Sequence, residues 1–256
     1  MAFSVRTNEC SMVSNKSVSA AVVAISLAAA HCSSGTTTAV EKNFSFSVDR
    51  NLIVLGDATI QGGPARVILA TAAPRSIQHS GLLKNPGPVG KNPIDVRIGH
   101  RFQASLNPDS ADLTGIGDLL LGYDAFQGRT VVIDFGRRLI SVLRSPPSEA
   151  VTSDLYFSSF QDHPAIGIEV NGTRISALID TANADTLTLP LRLNNGRRSR
   201  RTVELKVGEI DLGSVDASFA DVSSARIGNR ILQQFVVRID YRHKKVSLWS
   251  TSRGNG

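Results

Sequence analysis

The chain of 256 residues is poor in cysteine, with two, and in tryptophan, with one; aromatic residues make up only 5% of it. Two cysteines cannot build a disulfide scaffold or a cysteine-rich zinc site. The five histidines are scattered, and no H-E-x-x-H segment sets two of them on one helix face, which argues against a zinc protease. No metal and no organic cofactor is implied by any motif. Long apolar runs are also missing: Val18 to Ala30 falls short of the roughly 20 residues needed to cross a bilayer as a helix. The 41% apolar and 20% charged fractions exclude a disordered chain.

The formal net charge is +6. Its basic clusters are Arg197, Arg198, Arg200 and Arg201, then Arg242, His243, Lys244 and Lys245. Neither is interleaved with the aromatic side chains on which single-stranded nucleic acids stack, so a nucleic-acid partner is not expected. They read as solvated turns and strand ends, with attraction to an anionic envelope lipid or polysaccharide as the alternative.

Residues 1–35 read as a signal peptide and tether. A polar stretch with Arg6 and Lys16 precedes the short apolar run, which ends in the small residues Ala28, Ala29 and Ala30. Met12 would give a more compact start. Cys32, followed by SSGTTT, resembles a bacterial lipoprotein site, although His31 stands where a small residue is usual; simple cleavage near Ala30 is the other reading. The protein is expected to be exported and to be periplasmic, secreted or lipid-anchored through Cys32 in a bacterial envelope.

The most informative feature is an internal duplication. ATIQGGPARVILATAAPRS (Ala58 to Ser76) matches EVNGTRISALIDTANADT (Glu169 to Thr186). Asp180 follows Ala70, and Thr181 follows Thr71, by 110 residues (180 − 70, 181 − 71). LLLGYDAFQGRTVVIDFGRRLISV (Leu119 to Val142) matches ARIGNRILQQFVVRIDYRHKKVSLW (Ala225 to Trp249), with Gly228 following Gly122, and Asp240 following Asp134, by 106 (228 − 122, 240 − 134). Between these anchors Ile94, Val96 and Ile98 alternate with polar neighbours, as do Val203, Leu205 and Val207, the mark of half-buried strands. Asn171-Gly172 is a hairpin turn, preferred over its reading as a glycosylation sequon. Brief helical turns are expected near Asp124–Gln127 and Arg230–Gln234. The Pro146-Pro147 region separates two tandem units, residues 44–145 and 154–250.

ALIDTANADTLTLP resembles the Asp-Thr-Gly segment of the pepsin-like and retropepsin-like aspartic proteases, and ARIGNRILQQFVVRIDYRHKKVSLW is similar to their later glycine–helix–strand segment. The resemblance implies an all-β fold of two pseudo-symmetric acid-protease-like barrel lobes with a cleft between them, acting as a monomer on peptide or protein. Asp180 is then the one retained catalytic-type carboxylate. Ala70 replaces its partner, and Ala72 and Ala182 replace the family's glycines. Thr71 and Thr181 are implied to lock the loops together, and Gly122 and Gly228 to let a neighbouring strand approach. The Gly99-His100 turn is the flap candidate, with His100 or Phe102 against ligand. Asp134 and Asp240 are read as strand-end structure and Asp185 as a rim residue. Two functions stay open: an aspartic endopeptidase centred on Asp180, or an inactive pseudoprotease that binds peptide or serves as envelope structure. Export predicts a mature chain beginning at His31 or Cys32 by mass spectrometry, with acyl mass on Cys32 if it is lipidated; an N-terminus earlier than these would dismiss both cleavage readings.

Overall fold

Alternation along the sequence becomes alternation of burial. In β7 (Ile94–Ile98) the side chains of Ile94, Val96 and Ile98 are buried while Asp95 and Arg97 are exposed. The computed structural model describes residues 40–82, 93–144, 156–159 and 163–250. The expected leader, Cys32 and the proline-rich boundary lie outside them.

Lobe one carries β1 (Val40–Asp49), β2 (Leu52–Leu55), β3 (Ala58–Ile60), β4 (Gly63–Pro64), β5 (Val67–Leu69), β6 (Ile77–His79), β7, β8 (Phe102–Leu106), β9 (Asp109–Ala111), β10 (Leu119–Leu121), β11 (Thr130–Asp134) and β12 (Leu139–Leu143). Lobe two carries β13 (Tyr156–Ser159), β14 (Ala165–Val170), β15 (Thr173–Ile179), β16 (Leu187–Pro190), β17 (Ser199–Val207), β18 (Ile210–Ala220), β19 (Ala225–Ile227), the short helix α1 (Asn229–Leu232), β20 (Phe235–Asp240) and β21 (Lys245–Ser250). The counterpart of α1 in lobe one is a single helical turn, Tyr123–Ala125. Among the described residues no helix is long and apolar enough to cross a membrane.

The duplication is a duplication of register. β5 runs parallel to β10 with Val67, Ile68 and Leu69 opposite Leu119, Leu120 and Leu121. β15 runs parallel to β19 with Ala177, Leu178 and Ile179 opposite Ala225, Arg226 and Ile227, the same pairs displaced by the two sequence offsets. The lobes join where β11 pairs antiparallel with β20. There Val132 faces Arg238, which is its own counterpart in the repeat, so the local twofold axis passes through this pair. Around it the strand order β13-β21-β20-β11-β12-β1 is a palindrome of the two halves.

The halves differ in closure. Lobe two is a closed barrel, β14-β15-β19-β16-β18-β17. In lobe one the matching strands are divided between a four-stranded sheet, β4-β3-β7-β8, and an arm of an eleven-stranded sheet, β2-β5-β10-β6-β9. Proline marks one of the breaks. The 11-residue β18 has as its counterpart β8 and β9, interrupted at Asn107-Pro108. The seven-residue β15 has β4 and β5, interrupted just after Pro64. Proline has no N–H for the ladder, so at Pro108 the strand stops where β18 continues. Just past β4, by contrast, the Ala65 N–H still donates to the Ala58 carbonyl (3.0 Å), and the Arg66 N–H turns to the Asp118 carboxylate (2.7 Å). The turn at Asn171-Gly172 joins β14 to β15 with φ of 48° and 77°, and the Asn171 side-chain oxygen accepts the Glu204 N–H (2.9 Å).

The flap expectation needs correction for Phe102. Its ring is only 1% exposed and packs against Phe44 and Phe126, with centroids 5.6 and 5.5 Å apart. It belongs to the core of lobe one and has no face left for a ligand. The turn beside it is pinned as well, since the Gly99 N–H donates to the Asp57 carbonyl (3.1 Å).

Aromatic packing seals the lobe junction. Tyr241, from lobe two, lies 5.0 Å from the Tyr123 ring and 6.4 Å from Phe126 of lobe one, and its N–H donates to the Arg129 carbonyl (3.0 Å). Burial, with a smaller contribution from Tyr123, pushes the Tyr241 phenol above its ordinary range. Below about pH 10 the phenol is neutral folded and unfolded, so its contribution is fully present; above that, only the unfolded chain loses the proton, and stability falls. Stability against urea should therefore fall as pH rises past about 10, by up to roughly 1.4 kcal/mol per pH unit from this group, and Tyr241→Phe should flatten that fall.

Candidate functional site

Each parallel strand pair delivers a turn to the junction. The Ala70 N–H donates to the Leu121 carbonyl (2.9 Å) and the Asp180 N–H to the Ile227 carbonyl (3.0 Å). Each turn then closes on itself, Ala73 N–H to Ala70 O (3.0 Å) and Asn183 N–H to Asp180 O (3.1 Å). Ala72 and Ala182 are absent from the left-handed region, so alanine is accommodated there without strain. The glycines matter at the next layer. A Cβ on Gly122 would stand 2.6 Å from the Arg75 carbonyl carbon and 2.9 Å from Ala73 O; one on Gly228 would stand 2.7 Å from Asn183 O. Only glycine lets the end of each inner strand approach its turn this closely.

The two turns are joined by a reciprocal exchange. The Thr71 N–H donates to Thr181 Oγ1 (3.1 Å) and the Thr181 N–H to Thr71 Oγ1 (3.2 Å). Each hydroxyl then donates onward into the opposite lobe, Thr71 Oγ1 to Ile179 O (2.6 Å) and Thr181 Oγ1 to Leu69 O (2.7 Å). Thr71 is 2% exposed and Thr181 fully buried. The four bonds obey the local twofold and hold Ala70 and Asp180, each one residue earlier, at equivalent places on either side of it.

The equivalence ends with the side chains. Ala70 is buried and presents a methyl group. Asp180, also buried, has both carboxylate oxygens engaged: Oδ1 accepts the Ala182 N–H (3.1 Å) and Oδ2 accepts from Arg226 Nη1 (2.9 Å). Arg226 is 40% exposed at its side chain and lies over the carboxylate, while its Nε is buried without a partner. In lobe one Arg226 corresponds to Leu120 (226 − 106). An arginine at an otherwise apolar strand position, two residues before Gly228, was the sequence signal for this ion pair. A second residue that motif reasoning missed is Asn229, where lobe one has Tyr123. Its buried side-chain amide donates to the Asn51 carbonyl (2.6 Å) and the Thr181 carbonyl (2.7 Å), binding the turn of lobe two to the β1–β2 turn of lobe one.

The remaining acidic and histidine residues sit apart from this pair. Asp240 Oδ1 accepts the Arg242 and His243 N–H groups (both 3.0 Å), and Asp134 Oδ1 accepts the Arg137 N–H (2.9 Å), so both fasten the turn after their strand. His79 Nδ1 accepts the Leu113 N–H (3.0 Å). Asp185 accepts from Ser218 Oγ (3.2 Å) and faces Arg200 at 3.8 Å. Among the described residues no group of three or more His, Cys, Asp and Glu side chains gathers to hold a metal. Thr71→Val should leave the Thr181 N–H and the Ile179 carbonyl buried without partners, at about 1–3 kcal/mol for each, whereas Thr71→Ser should retain most of the stability; urea midpoints for the two variants check this.

No family model matches the sequence, and no curated protein sequence matches it. Among solved structures, the aspartic proteinase from Irpex lacteus is similar in fold, with a TM-score of 0.52 over 84% of this chain and 98% of that one. The two sequences are 8% identical in the superposed region, so the likeness is one of architecture. The chain has the pepsin-like arrangement of two β lobes, with a carboxylate on only one of its paired turns.

Proposed function

We propose that this protein is a non-catalytic relative of the aspartic proteinases, exported to the cell envelope, that binds extended peptide over its paired turns. The observation that carries this reading is the fate of the two equivalent positions: Arg226 and a backbone N–H occupy the Asp180 oxygens, and a methyl group stands at Ala70. Hydrolysis by an acid pair requires two facing carboxylates sharing one proton, one drawing a proton from water and the other donating to the scissile carbonyl. Ala70 can do neither, and Asp180 already has a donor on each oxygen. The scaffold that would position such a pair is nonetheless kept, in Thr71, Thr181, Gly122 and Gly228. A rigid frame without its acid pair suits a protein that grips an extended segment through backbone bonds and side-chain pockets. Both lobes come from one chain, so the proposed unit is a monomer, attached to the membrane where Cys32 is lipidated.

Incubating the protein with a denatured protein substrate from acidic to neutral pH should give no cleavage. Ala70→Asp alone should also give none, because Arg226 still holds Asp180. Ala70→Asp combined with Arg226→Leu, the residue type lobe one carries there, should produce proteolysis that a statine-type inhibitor stops, since acid–base assistance is worth about 100- to 10,000-fold. Cleavage by the unaltered protein that Asp180→Ala abolishes would overturn the non-catalytic reading.

A further inference from the structure

The surfaces on the two sides of the paired turns have different chemistry. In lobe two a row of directly opposed residues crosses five strands: Leu178 on β15, Arg226 on β19, Thr188 on β16, Ser218 on β18 and Arg200 on β17. Its neighbours along the strands, among them Ile179, Ile227, Leu187 and Ala217, are buried in the barrel, so this row lies on the outer face. The row in lobe one that occupies the equivalent place is Ile68, which is fully buried, with Leu120 and Ile77, which are partly exposed. One flank is therefore apolar and the other polar and cationic, although the backbones repeat.

The cationic flank leads into a cavity of about 320 Å³, lined by Arg200, Arg201 and Arg230 together with Asp185, Asp216 and Ser218. Three guanidinium groups meet two carboxylates there. Arg201 and Arg230 are exposed and have no carboxylate within ion-pair distance among the described residues, and Arg200, 81% exposed at its side chain, reaches Asp185 only at 3.8 Å. A loose, exposed pair of this kind is worth little, so turning Arg200 toward an incoming anion loses little. The Asp185 carboxylate is also held by Ser218, which leaves the guanidinium the freer partner.

We propose that this cavity takes the acidic side chains of a bound peptide that crosses the paired turns and lays apolar residues along Leu120 and Ile77 on the other side. The inference rests on the peptide-binding reading above and adds to it the class of peptide. Planar guanidinium groups present paired donors that match a carboxylate. A cationic cavity on one side of the paired turns and apolar residues on the other suit an extended segment that is acidic at one end and apolar at the other; a flat anionic surface would leave the apolar residues uncovered.

The test is a randomised synthetic decapeptide library passed over the immobilised full protein, with the retained fraction sequenced. Glutamate and aspartate should be enriched about fivefold or more over glutamine and asparagine in retained peptides that also carry leucine, isoleucine or valine several positions away, and added salt should reduce the enrichment. The double variant Arg201→Gln, Arg230→Gln should lose the acidic enrichment while unfolding at the same temperature as the parent. Retention of peptides with no acidic preference, or an acidic preference unaltered in the double variant, would overturn this inference and leave peptide binding standing. No retention of any peptide class would overturn the peptide-binding reading, and this inference with it.

Discussion

Two threonine hydroxyls, each buried and each bonded into the opposite lobe, constrain the rest of the molecule. A hydroxyl can accept one hydrogen bond while donating another, and Thr71 and Thr181 use both capacities across the junction. Buried N–H and carbonyl groups at the turns thereby find partners that their own lobes do not supply. For the exchange to close, both turns must arrive at the same height on the local axis. That demands equal register in the parallel pairs β5–β10 and β15–β19, and close approach at Gly122 and Gly228. The continuous sheet through Val132 and Arg238 and the packing of Tyr241 on Tyr123 fix the same axis from other layers.

Within this symmetric frame the side chains that bear chemistry are unlike. Ala70 stands against Asp180, Leu120 against Arg226 and Tyr123 against Asn229. Lobe two carries a carboxylate–guanidinium pair and an inter-lobe amide, and lobe one has apolar or aromatic residues at the matching positions. An ion pair of this sort compensates a buried carboxylate whose counterpart is a methyl group, where leaving the charge uncompensated would cost several kcal/mol. The frame does not use the side chains at these two positions: the hydrogen bonds that align the turns involve only the threonines and the backbone.

Much of the architecture was legible because strands announce themselves locally. The alternation of Ile94, Val96 and Ile98, the Asn171-Gly172 turn and the two matched segments each depend on neighbours within a few residues. The division of lobe one into two sheets was harder to see, although Pro108 stood in the sequence, because a proline shows where one ladder bond is lost and not whether the barrel closes around it. Phe102 misled for a related reason: its place beside a hairpin turn suggested a ligand contact, but the space between Phe44 and Phe126 decides its burial. The site was legible as two positions, Ala70 and Asp180. Its electrostatics were not, since Arg226 lies 46 residues from Asp180 and meets it only through the pairing of β15 with β19.

The sequence by itself determined that the chain is a doubled β unit with one acidic and one methyl-bearing turn, because repeat offsets and residue identities are linear properties. Tertiary structure decided that those turns meet, that threonine hydroxyls bind them to each other, and that a guanidinium covers the carboxylate. These outcomes depend on donor and acceptor geometry over a few ångströms between segments distant in the chain, and directionality of that kind exists only once the strands have been brought side by side.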